Sequence, residues 1–411
     1  MRVLALTTLF PSSARPGFGG FVERSLARLG AVPGVELTVV VPNGVPPWPL
    51  SRHPTYRASV ELPLAETWGG MSVHRPRFPL IPGVGWRLNP ALIARAAEPF
   101  VAGADVIHAD FFTPCGVAAA MLGARAEVPV SIKARGSDIH LWGARGAARR
   151  AMLRAAASAG GLLAVSAALK ADMVALGMPA DKIAVHYTGV DLDVFRPVDR
   201  AAMRARMGWP APLVVSIGNL IPLKGHQIVM RAVAKLPGVY LRIVGRGPDE
   251  ARLRALIDEL GVIDRVQLMG GLPHGEVARL LAAADVMALA SEREGLANAW
   301  VEALACGTPV VATRVGGAVE VIDRAAAGRL AERTVDGFAD AIAALLADPP
   351  TQADVRAAVV DRFGWARHTA QLHAHLMGVA GRLTAAQPSL NPPDNHPHSA
   401  PSPGHRRPSA S

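Results

Sequence analysis

The residues best suited to do chemistry are two glutamates, Glu294 and Glu302, in the stretch Ser291–Thr313, SEREGLANAWVEALACGTPVVAT. Glu294 precedes Gly295 on a loop, and Asn298 is placed to cap a helix that runs to Cys306. Gly307 stops that helix, and Pro309 leads into an apolar strand, Val310–Thr313. On the helix, Asn298, Glu302 and Cys306 fall at i, i+4 and i+8 and share one face, while Trp300, Val301 and Leu304 gather on another. Glu302 therefore stands one turn inside a helix whose free N–H groups and partial positive charge suit a phosphate or a sugar oxygen. Two carboxylates beside such an end suit a neutral polyol, because each accepts hydrogen bonds from paired hydroxyls. The predicted chemistry is the binding of a sugar nucleotide.

Seven residues separate the glutamates, and EGLANAWVEALACGTPVV resembles the E-x7-E signature of the retaining glycosyltransferases of family 4, which have the GT-B fold. By that resemblance Glu294 contacts hydroxyls of the transferred sugar and Glu302 holds the nucleotide ribose. Gly295, the small-residue helix from Asn298 and the CGTPVV exit carry the match beyond the spacing alone. The resemblance also implies a nucleotide-sugar donor, a UDP-sugar, used as substrate, with no separate cofactor and no obligatory metal. The acceptor would be a sugar or a lipid-linked hydroxyl.

A leaving diphosphate needs a cation where no metal does that work. LVVSIGNLIPLKG reads as a strand, a loop with Gly218, and Lys224 at a helix start, where a lysine is otherwise electrostatically unfavourable. The family usually carries an arginine where Asn219 stands, so a second cation or backbone amides must help. Arg246, in the glycine turn Gly245–Pro248, is one candidate, although a tight turn accounts for it equally. Gly17, Gly19 and Gly20 follow the first strand without forming GxGxxG. They make a plain turn or, by the resemblance, a loop that offers amides to the donor phosphate or admits the acceptor.

Lys133–His140, KARGSDIH, resembles the family loop His-Gly-Ser-Asp beside the sugar, with Arg135 in the place of the histidine. Arg135 is expected to stabilise the diphosphate or to pair with Asp138. His140 reads as a surface residue. His108 ends the strand DVIH and either points into the cleft or packs. Asp191-Leu192-Asp193 looks like a metal-binding DxD, but TGVDLDVF matches the family segment GVD-x-x-x-F, in which Gly189 turns and Phe195 packs. No metal site is expected.

Strands and helices must alternate to position these groups. Strands are expected at Val3–Leu9, Val35–Val41, Asp105–His108, Val128–Lys133, Gly161–Val165 and Ile183–His186, with one short strand near Ser72–Arg75 in an otherwise irregular stretch from Pro42 to Pro90. The pattern restarts with strands at Leu213–Ile217, Val239–Val244, Arg265–Met269, Val286–Leu289 and Val310–Thr313. Strict βα alternation predicts α/β domains with doubly wound parallel sheets. Two such Rossmann-like domains, 1–190 for acceptor and 213–364 for donor, would face a cleft across a linker at 191–212. A helix over 365–383 would cross back to the first domain, and 384–411, rich in Pro, Ser, His and Asn, would be disordered.

The chain has 411 residues, half of them hydrophobic, which is enough for two domains. Cys115 and Cys306 are far apart and make no CxxC, so neither a disulfide framework nor a zinc knuckle is expected, and a reducing cytoplasm fits. MRVLALTTLF reads as a buried first strand rather than a signal peptide. The net charge of +10 comes from scattered arginines with 5% aromatics, which argues against nucleic acid and leaves anionic partners. Arg145, Arg149, Arg150 and Arg154 spread over one helix beside Leu141 and Trp142; the helix is either a solvated basic face or a rest for anionic lipid at the inner membrane face. Rival readings are a sugar-nucleotide epimerase and a carbohydrate-binding protein with a decayed site. A nicotinamide dehydrogenase would need the GxGxxG that is missing.

Overall fold

The computed structural model describes residues 1–381 except 82 and 84. In the first lobe the strands are β1 (Arg2–Leu6), β2 (Glu36–Val40), β3 (Asn43–Val45), β4 (Ala65–Trp68), β5 (Met71–His74), β6 (Arg77–Pro79), β7 (Val106–Asp110), β8 (Val130–Ala134), β9 (Gly161–Ala164) and β10 (Ile183–Val185). Eight of them make one sheet in the order β10-β9-β8-β7-β1-β2-β5-β4, parallel except for the edge pair β4/β5, while β3 and β6 pair separately. The second lobe holds β11 (Leu213–Ile217), β12 (Tyr240–Val244), β13 (Val266–Leu268), β14 (Val286–Leu289), β15 (Val310–Thr313) and β16 (Gly328–Ala331), all parallel, in the order β13-β12-β11-β14-β15-β16. The central strands are buried along their whole length (β7, β8, β14 and β15), as parallel strands covered by helices on both faces must be. Both sheets reverse winding beside their first strand, so loops at the C-terminal strand ends gather there.

The expected GT-B arrangement is present: two Rossmann-like lobes with a cleft between them and a final helix, Trp365–Val379, that returns to the first lobe. Leu372 and Leu376 of that helix pack with Val3, Leu29, Val106 and Leu163. Two of its histidines also penetrate the first lobe. His368 Nε2 meets Ser25 Oγ at 2.7 Å and His375 Nε2 meets Ser131 Oγ at 2.9 Å. The tail expected over 384–411 lies outside the described residues.

Two features differ from expectation. The stretch 42–90 is not irregular: it holds a helix, Pro54–Glu61, and four short strands, whose three or four residues are too few to show a period. Gly189 does not serve as a left-handed turn; a Cβ there would strike the Trp365 ring, so close packing against the returning helix demands glycine. The linker 191–212 holds a short helix, Arg200–Met207, and is fastened as well as linking: Arg204 bonds the Ala283 carbonyl and Asp285, and Arg200 bonds the Gly307 carbonyl, all in the second lobe. Phe195 is fully buried, as expected.

Candidate functional site

The parallel register sets the ends of β11, β12 and β14 side by side, so the loops after them wall one cleft. The cleft encloses about 590 Å³. Gly218, Asn219, Lys224, Arg246, Glu294, Asn298 and Glu302 line it from the second lobe, and Gly17, Phe21, Arg135 and Thr188 from the first. The structure therefore brings both glutamates, the lysine and a second cation to one ligand-sized space.

Pro222–Lys224 forms a single 3-10 turn and the helix proper begins at His226, so Lys224 stands ahead of that helix rather than in its first turn. Its ammonium donates to Glu294 Oε1, which also accepts from Ser291 Oγ at 2.7 Å. Lys224 and Glu294 thus neutralise each other within the cleft wall. The Arg246 side chain lies over Gly271 in the cleft wall, where a Cβ on that glycine would crowd Nε at 3.1 Å.

The second glutamate sits on the helix Asn298–Ala305. Asn298 does not cap it: Ala297 is the N-cap residue, in extended conformation, and Asn298 is the first helical residue with its side chain left to the cleft. The first N–H groups of the helix are consequently uncapped by any side chain and open where an anion would lie. Glu302 lines the cleft, whereas Cys306, at the end of the same face, is wholly buried. Burial pushes the Glu302 carboxyl up to about 7, although Arg24 on the facing helix Gly20–Gly30 pulls it the other way.

Where the lobes meet at the cleft floor, backbone touches backbone. A Cβ on Gly295 would collide with the Arg135 carbonyl, and one on Gly136 would come within 2.8 Å of the Gly295 nitrogen. Ser166 Oγ donates to the Gly295 carbonyl at 2.9 Å. Gly295 is thus a contact of the lobes as well as a neighbour of Glu294.

On the first-lobe side several expected contacts are corrected. Arg135 does reach the cleft, but it pairs with Asp110 and not with Asp138: Nε and Nη2 donate to Asp110 Oδ1 at 2.9 and 2.6 Å, and the side chain is 8% exposed. Asp138 lies outside the cleft wall, fully buried, and its carboxylate accepts from the backbone N–H groups of Phe112, Arg135, Gly136 and Ile139. It holds the loop instead of a ligand. His108 is buried in mid-strand and bonded to Ser131 Oγ at 3.2 Å, because β7 continues two residues past the expected end. Gly19 and Gly20 do not line the cleft, although their neighbours Gly17 and Phe21 do; Gly19, at a φ of 71°, starts the helix close against the Leu9 backbone. His140 bonds Asp172 at the surface, as expected. Asp191 Oδ1 accepts from the Asp193 and Val194 N–H groups and Oδ2 pairs with Arg28, so the DxD look-alike is a turn.

Beneath Arg135 lies a buried polar network. Lys133 Nζ donates to His186 Nδ1 at 2.9 Å, which leaves His186 Nε2–H to donate to the His368 carbonyl at 3.0 Å. Burial, aided by Arg135, holds the Lys133 ammonium well below its ordinary value, and burial also lowers His186 and His368. Burial alone would raise Asp110, but the charges of Arg135, His108 and Lys133 bring it below the usual carboxylate range. Ser291, Thr188, Arg24 and Glu320 were not singled out in the sequence. Glu320 accepts from the N–H groups of Ala167 and Ala168 at 2.8 and 2.9 Å and from Tyr187 Oη at 2.9 Å, clasping the lobes together. Of these, Ser291 alone carried a sequence signal, three residues before Glu294.

A cleft between two Rossmann-like lobes, with paired acids at a helix end, defines the class of GT-B glycosyltransferases. The model described as Glycosyltransferase Family 4 matches residues 23–194, and that described as Glycosyl transferases group 1 matches residues 199–360. The chain belongs to glycosyltransferase family 4. Curated relatives include the D-inositol 3-phosphate glycosyltransferases of Mycobacterium leprae, 40% identical over 220 residues (50% of this chain, 51% of the relative), and of Mycobacterium tuberculosis, 40% identical over 223 residues (51% and 46%). The matched stretch spans about half the length of those relatives. Among solved structures, sucrose-phosphate synthase from Thermosynechococcus elongatus superposes with a TM-score of 0.76 at 22% identity, covering 91% of this chain and 97% of that one. Anabaena HepE in complex with UDP-glucose superposes with a TM-score of 0.71 at 21% identity (91% and 98%).

Proposed function

We propose that the protein is a retaining glycosyltransferase that moves one sugar from a nucleotide-sugar donor, a UDP-sugar, to an acceptor hydroxyl in polysaccharide or glycolipid assembly. The observation that carries this reading is the convergence of Glu294, Glu302, Lys224 and Arg246 on one interlobe cleft at an open helix N-terminus. Glu302 would accept from the ribose hydroxyls and Glu294 from those of the sugar. As the donor enters, Lys224 would leave Glu294 for the diphosphate, with Arg246 and the helix amides stabilising the charge that grows there as the glycosidic bond breaks. A leaving phosphate oxygen, on the face that the acceptor attacks, would take the acceptor proton. The solved complex of HepE with UDP-glucose supports the choice of donor.

Arg135 is then a positioning residue whose charge is largely spent on Asp110, and its contact with the diphosphate would run along the edge of the guanidinium that faces the cleft. The test is incubation with a panel of nucleotide sugars and candidate acceptors, followed by assay of released nucleoside diphosphate. Acceptor-dependent release with one donor class is expected. Release of nucleotide with no acceptor consumed would point to an epimerase, and no nucleotide binding by calorimetry would mark a decayed site.

A further inference from the structure

A second surface, apart from the cleft, carries chemistry of its own. Trp86 and Trp142 pack against each other with ring planes tilted by 46° and centroids 5.5 Å apart, although they come from segments distant in sequence. The Arg145 guanidinium covers both rings, at 4.6 Å from the Trp142 centroid and 5.8 Å from that of Trp86, and Arg87 lies over Trp86 at 5.3 Å. Large apolar side chains stand exposed around this pair: Leu141 at 56%, Leu88 at 53% and Ile81 at 40%. The Gly85 N–H donates to the Ile81 carbonyl and the Leu88 N–H to the Gly85 carbonyl, which keeps these residues close. The helix Gly146–Ser158 follows directly, with Arg150 and Arg154 exposed on one side of it and Arg149 on another, bonded to the Leu176 carbonyl. Neither contributing segment carries a carboxylate, from Thr67 to Ala97 or from Ile139 to Ala171.

We propose that this face seats the protein on an anionic lipid bilayer. Leucine and isoleucine would enter the acyl boundary, the tryptophans would lie at headgroup level, and the arginines would meet lipid phosphates. Charge complementarity decides for lipid: the apolar tips exclude a purely electrostatic partner, and the arginines, against which Asp172 is a carboxylate already engaged by His140, disfavour a basic one. The turn Asp138–Trp142 ends at this face, and the loop ahead of it carries Arg135 in the cleft wall, so a docked protein would hold its acceptor side at the membrane. That last step rests on the glycosyltransferase reading; the docking does not.

The test is flotation of the full chain with vesicles of phosphatidylcholine alone and of equal parts phosphatidylcholine and phosphatidylglycerol. Binding to the anionic vesicles alone, weakened by salt, is expected. The double variants R145S/R150S and L88S/L141S, checked for an unchanged melting temperature, should each lower the partition coefficient by ~10-fold or more. Quenching of wild-type tryptophan fluorescence by brominated lipid gives the same answer without a variant. Binding that both variants leave intact, unquenched tryptophan, or displacement of the protein from vesicles by duplex DNA would overturn the proposal. Calorimetric UDP binding by the same preparations reports on the cleft separately.

Discussion

The two walls of the cleft use their charges in opposite ways. On the second lobe, Lys224 and Glu294 hold each other in a pair at the cleft, burial pushes the Glu302 carboxyl up to about 7, and Arg246 lines the same wall. On the first lobe nearly every charge is consumed internally: Arg135 on Asp110, Lys133 on His186, and Asp138 on four backbone amides. Buried charges must find partners inside the fold, whereas charges at a cleft can wait for a ligand. One wall is built to bind, the other to hold its shape.

The largest effect should come from the holding wall. Asp138→Ala strips four backbone N–H groups of their acceptor and should cost about 3–5 kcal/mol of unfolding free energy in a denaturant titration. A loss under 1 kcal/mol would mean that the loop has other support. On the binding wall, Glu294→Ala and Glu302→Ala should each lower kcat/KM by ~10² or more, about 2.7 kcal/mol, with little change in melting temperature. Near wild-type transfer by either variant would remove it from the site.

The contrast can be sharpened by pH. With burial pushing the Glu302 carboxyl up to about 7, the ionised form that would accept from ribose grows as pH rises. UDP affinity should therefore increase by about tenfold between pH 6 and 8, and Glu302→Gln should flatten that profile. The folding linkage has the opposite sign: a carboxyl raised in the fold favours the native state at low pH, and that contribution is lost as pH climbs through 7. The smallest effect is expected at the clasp. Glu320→Ala frees the Ala167 and Ala168 N–H groups and Tyr187 Oη, costing about 1 kcal/mol and widening the lobes in solution scattering. Unchanged scattering would leave lobe closure to the Gly295 and Gly136 contact.

Much of this was legible beforehand. Strands β11, β14 and β15 fall where alternation of apolar runs and turn residues puts them, because a parallel strand buried on both faces leaves a continuous hydrophobic signature. Strands β3, β4 and β6 were missed because three or four residues carry no period. Of the site residues, Glu294, Glu302, Lys224, Gly218, Arg246 and Asn298 all reach the cleft, being tied to strand ends by short loops. Gly295, His108, Asp138, Gly19 and Gly20 do not: Gly295 packs against the Arg135 carbonyl, β7 runs two residues past His108, Asp138 turns inward to backbone N–H groups, and Gly19 packs on the Leu9 backbone.

By itself the sequence determined the alternation of elements, hence two parallel sheets, and the pair of acids around one helix start, since both are properties of neighbours along the chain. Tertiary structure alone decided which charges remain free for a ligand. Lys224 and Glu294, Arg135 and Asp110, and Ser131 and His375 are partners across 70, 25 and 244 residues. Whether a buried charge is spent or available depends on partners that only folding brings within hydrogen-bond reach.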